Sequence, residues 1–61
     1  MREIIDYIVN YLNENKITIT ESVVIHCHTK YDYAEKIIFL QGKKVKIIIL
    51  HDIITIKLIE E

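Results

Sequence analysis

The chain has 61 residues, about half of them apolar, with one glycine, no proline and a single cysteine. That makes one domain without an internal disulfide and excludes a disordered or low-complexity protein. Eight lysines and arginines against nine acids give a net charge of −1, so no global electrostatic drive toward nucleic acid exists.

No apolar run reaches the roughly 18–20 residues of a membrane span, and none has the layout of a signal peptide. With a lone cysteine, a soluble cytoplasmic protein is expected. A chain this short buries only about 60 % of the surface its unfolded form exposes. Small domains make up the difference with disulfides, metals or assembly. The heavy isoleucine load therefore predicts a homo-oligomer.

Residues 2–15 read as a helix. Ile4, Ile5, Ile8, Val9 and Leu12 recur at three- and four-residue spacing and form one apolar stripe. Glu3 and Asp6 suit the helix N-terminus, and Asn13, Asn15 and Lys16 make a stop. Tyr7 and Tyr11, one turn apart, flank the stripe as edge-of-core aromatics or as a base-stacking pair.

Residues 17–20 alternate apolar and polar, as a half-buried strand does, and residues 23–30 resume the pattern. Residues 30–41 admit two readings. In one, Thr29 and Asp32 begin a second helix that Gly42 ends, giving an α-ββ-α-ββ domain. In the preferred one, residues 37–41 are a buried strand turning through Gln41–Lys44. Residues 44–50 and 53–59 alternate cleanly and read as the last two strands. The expected class is α+β: an N-terminal helix followed by a small, strongly bent antiparallel sheet or barrel.

Chemistry-bearing residues are few. His26 and His28 fall on one side of a strand and are candidates for a chelating pair, but a zinc site needs three or four ligands and Cys27 points the other way. Cys27 reads as a small apolar residue. No glycine-rich phosphate loop or paired-carboxylate pattern is present, so neither an enzyme nor a cofactor is expected. Lys43, Lys44 and Lys46 around Gly42 read as a solvated turn or, repeated around an oligomer, as a phosphate-binding rim.

The order of a short helix and five short strands, with a histidine at the last corner, resembles the Sm-like superfamily of Lsm and Hfq proteins. The stretch IIFLQGKKVKIIILHDIITI carries the resemblance. Leu50-His51-Asp52 stands at the corner of the family's second motif. His51 matches the Hfq-type histidine and Asp52 the Sm-type aspartate, while Tyr31-Asp32 resembles the aromatic-Asp pair of the first motif. The chain departs from the family at Leu50, where a basic residue is expected, and in lacking the glycine of the bent second strand.

The resemblance implies a ring of six or seven subunits joined edge to edge, binding single-stranded U- or A-rich RNA. His51 would be the pocket residue. Tyr31 or Tyr33 would stack on a base, and Lys43, Lys44 and Lys46 would contact phosphate. The competing reading is a small α+β homo-oligomeric protein-interaction or regulatory module that binds no nucleic acid. A third is a metal-dependent or DNA-binding regulator working through His26, His28 and the lysine turn.

Overall fold

The computed structural model describes Met1–Ile59. One helix, α1 (Arg2–Glu14), precedes four strands: β1 (Ser22–His26), β2 (Tyr33–Leu40), β3 (Lys43–Leu50) and β4 (Ile53–Leu58). All neighbours are antiparallel and the sheet order is β1-β4-β3-β2. Three strands in a meander with the first strand returned beside the last is a Greek-key arrangement. The α+β class is observed. β1 and β2 lie at opposite edges, and no ladder joins them into a barrel.

α1 covers one side of the sheet. Ile8 and Leu12 from the helix meet Ile25, Val45, Ile47, Ile49, Ile54 and Ile56 from the strands, with Ile19 closing the core. The strand residues follow from alternation: Val45, Ile47 and Ile49 of β3 and Ile54 and Ile56 of β4 are buried and the residues between them are not. Burying a side chain of this size contributes roughly 1.5–3 kcal/mol.

The helix stop is set by backbone geometry. Lys16 adopts φ 54, Ile17 N–H donates to Leu12 O at 2.9 Å, and Lys16 N–H donates to Asn13 O at 3.3 Å. This is the Schellman pattern, with lysine where glycine is usual.

Three expectations are corrected. Residues 17–20 are not a strand. The segment is tethered instead by a side chain: Ile19 N–H donates to Gln41 Oε1, and Gln41 Nε2 donates to Ile17 O, each at 2.8 Å. Lys43 Nζ adds a bond to Ile19 O at 2.7 Å. One amide thus supplies the donor and the acceptor that a neighbouring strand would have supplied.

Second, the strand expected over residues 23–30 is β1, and it ends at His26. The chain must there leave one sheet edge for the other. It crosses the end of the sheet against the β3–β4 turn: Cys27 N–H donates to Asp52 O at 3.0 Å, His51 N–H to Asp32 O at 3.1 Å, and Thr29 Oγ1 to His51 O at 3.0 Å.

Third, of the two readings of residues 30–41 the strand is observed and the helix is not, but the strand is longer than expected. β2 starts at Tyr33, well before residue 37, because all eight of its residues pair with β3, from Tyr33↔Leu50 to Leu40↔Lys43. A continuous ladder outweighs the helical propensity of Ala34-Glu35-Lys36.

The β2–β3 turn has Gln41 at φ 55 and Gly42 at φ 73. Two positive-φ residues make the type I′ turn that matches strand twist. In the β3–β4 turn His51 alone of the two turn residues is positive, at φ 56.

Candidate interaction face

Two-residue turns fix the faces of the sheet. The side chains turned away from α1 form four rows across the strands, read from the pairing register. The row nearest the β3–β4 turn is His26, Ile53, Leu50 and Tyr33. Next come Val24, Thr55, Ile48 and Glu35, then Ser22, Lys57, Lys46 and Ile37. Lys44 and Phe39 complete the far end.

Seven large apolar side chains are exposed among the described residues. Six of them, Val24, Tyr33, Ile37, Phe39, Leu50 and Ile53, lie on this face, and only Tyr7 lies elsewhere. Phe39 is 74 % exposed. Polar residues concentrate toward one end, where Lys46 sits directly opposite Lys57. The other end carries Leu50, Ile53, Ile48 and Val24, with Thr55 and Glu35 directly beside Ile48 in the same row.

A polar relay crosses the middle of the β2 side. Lys46 Nζ lies 2.9 Å from Glu35 Oε1, and the Tyr33 hydroxyl donates to Glu35 Oε2. The hydrogen bonds from Lys46 and then from Tyr33 hold the Glu35 carboxyl below its ordinary range. The same carboxylate raises Lys46, and the bond to Glu35 raises Tyr33. The relay therefore keeps a carboxylate charged and satisfied beside apolar neighbours.

The residues singled out for RNA separate into groups. Tyr33, Lys44 and Lys46 share the open face. Lys43 is turned to the other side, on Ile19 O. Tyr31 is half-buried, its hydroxyl accepting from the amino terminus at 2.9 Å, with Lys30 Nζ 5.8 Å from its ring centre. His51 sits in the turn, its backbone holding the crossing loop. His51 and Lys44 are at opposite ends of β3, about 23 Å apart at strand rise.

Of the metal candidates, His26 faces outward on β1. His28 Nδ1 lies 3.0 Å from Asp52 Oδ1 at the surface. No group of three or more metal-ligating side chains exists among the described residues. Cys27 is half-buried beside the core. No helix is long and apolar enough to cross a membrane. A half-open cavity of about 360 Å³ lies beside the helix start, lined by Arg2, His28, Thr29 and Lys30 among others.

Sequence reasoning points to burial on both faces near residues 47–50 but does not single out Phe39. Alternation places Ile48 and Leu50 on one face, yet only the strand order reveals that none of the described residues covers it. Comparison with protein-family models, curated proteins and solved structures yields no match.

Proposed function

We propose that the chain is a non-enzymatic module that self-associates through the open face of its sheet. One observation carries this reading: nearly all the exposed large apolar side chains lie on that face. Four strands at about 4.8 Å spacing and five to eight residues of length give a footprint of roughly 400 Å².

The layout also supports a two-fold contact. Packing apolar end on apolar end leaves Lys44, Lys46 and Lys57 at the two outer margins, so like charges stay apart. The partner's sheet then covers the side of the sheet that α1 leaves open.

A second reading keeps the Sm-like resemblance: an oligomer that binds single-stranded U- or A-rich RNA. It is favoured by Phe39 and Tyr33 exposed on the same face as Lys44, Lys46 and Lys57, an aromatic and basic mixture suited to stacking and phosphate contact. A ring would be built on the two free sheet edges.

Leu50→Glu separates the readings. A wild-type protein that associates, and a variant that associates only at higher concentration with an unchanged circular dichroism spectrum, supports the first. A wild type that takes up oligo-U or oligo-A, with binding weakened by Phe39→Ala and unaffected by Leu50→Glu, favours the second. A monomer that ignores both oligonucleotides refutes both.

A further inference from the structure

The free edge of β2 is a second contact. We infer that two copies join antiparallel along β2 with Ile37 on the two-fold axis, making one continuous eight-stranded sheet. This rests on the self-association reading and adds a contact distinct from the open face.

Leu40 and Lys43 flank a two-residue turn, so they form a hydrogen-bonded pair of the β2–β3 ladder. The pattern then alternates: Leu40, Ile38, Lys36 and Ala34 direct their N–H and C=O groups to β3. Tyr33, Glu35, Ile37 and Phe39 direct theirs outward. Among the described residues nothing pairs with that edge. β2 is eight residues long, and its register with β3 runs without a bulge. The strand has no proline. Of the usual devices that blunt an edge, β2 has the charged Glu35 and Lys36 at its centre.

Self-complementarity picks the register. Residues opposite each other in an antiparallel pair share a face, so the axis must pass through a residue rather than between two. Centring on Lys36 sets Lys36 against Lys36, and centring on Glu35 sets two glutamates together. Both are like-charge pairs, which are destabilising. Centring on Ile38 shortens the ladder. Centring on Ile37 pairs all of residues 34–40. Ile37 then meets Ile37 of the second copy, Glu35 meets Phe39, Lys36 meets Ile38, and Ala34 meets Leu40. The small Ala34 opposes the larger Leu40, and the Lys36 stem covers Ile38. Glu35, Ile37 and Phe39 each gain a backbone partner, and the two outer faces become one surface.

Amide hydrogen exchange read by NMR, on dilute and concentrated full-length protein with sedimentation in parallel, tests this. At concentrations where the protein is associated, the Glu35, Ile37 and Phe39 amides are expected to slow by roughly 100-fold. Tyr33, beyond the ladder, stays fast. In Leu50→Glu the slowing is expected to return when the concentration is raised until sedimentation shows association. Fast exchange at these three amides in an associated protein overturns the edge contact and leaves the face contact standing. Simultaneous protection of Ser22, Val24 and His26 overturns the two-fold register, since β2 would then pair with β1. A protein monomeric throughout overturns both the edge contact and the self-association reading.

Discussion

At the scale of single residues, three non-glycine side chains sit at positive φ: Lys16, Gln41 and His51. The left-handed region costs an L-residue roughly 1–2 kcal/mol, and glycine avoids this at an entropic cost of about 0.5–1 kcal/mol. Lys16 and His51 have no side-chain bond among those described to offset the strain. Lys16→Gly and His51→Gly should each raise unfolding free energy by about 0.5 kcal/mol, read as a shift in urea midpoint at unchanged slope. A loss of stability in His51→Gly would show that its imidazole makes a contact that matters.

The Tyr33–Glu35–Lys46 relay makes a second residue-scale prediction. Glu35 is lowered, so its contribution is present above the unfolded carboxyl value and lost as pH falls through the lower folded value. Lys46 and Tyr33 are raised, so theirs is present below their unfolded values and lost as pH rises through the folded ones. The relay stabilises across the neutral range and fails at both ends. Comparing urea midpoints of wild type and Glu35→Gln against pH should give a small deficit at neutral pH that closes in acid. The deficit is small because the pair is solvent-screened.

At the scale of elements, Gln41 holds the segment between helix and sheet. Gln41→Leu removes one donor and one acceptor together and leaves Ile19 N–H and Ile17 O without their partner. The expected cost is about 1–3 kcal/mol in denaturant unfolding, with the largest loss of amide protection at Ile19. Alternation of residues 17–20 is visible in the sequence, and so is the inward direction of Ile17 and Ile19. Their partner is not, because a glutamine in a turn carries no local signal of what it will bond. β3 and β4 are legible because alternating isoleucines leave no other period. The start of β2 is hidden, because Tyr33-Ala34-Glu35-Lys36 is ordinary helix or turn composition until β3 lies beside it. For the candidate face, alternation suffices to put Lys44, Lys46, Ile48 and Leu50 on one side. It does not show that His51 and Tyr31 are engaged in tying the crossing loop and the amino terminus, since those bonds join residues distant in sequence.

At the scale of the whole molecule, one helix and one sheet enclose a single apolar layer, and the sheet's outer side carries a second set of apolar residues with nothing from Met1–Ile59 over them. A sequence that spends Val24, Ile37, Phe39, Leu50 and Ile53 on that side is patterned for burial on both sides of the sheet. Sedimentation velocity of the wild-type protein from low micromolar to millimolar concentration is the most direct test. The account predicts a concentration-dependent shift from monomer to a dimer or higher even-numbered assembly, abolished or reduced by Leu50→Glu. A single monomer boundary across the whole range would contradict it.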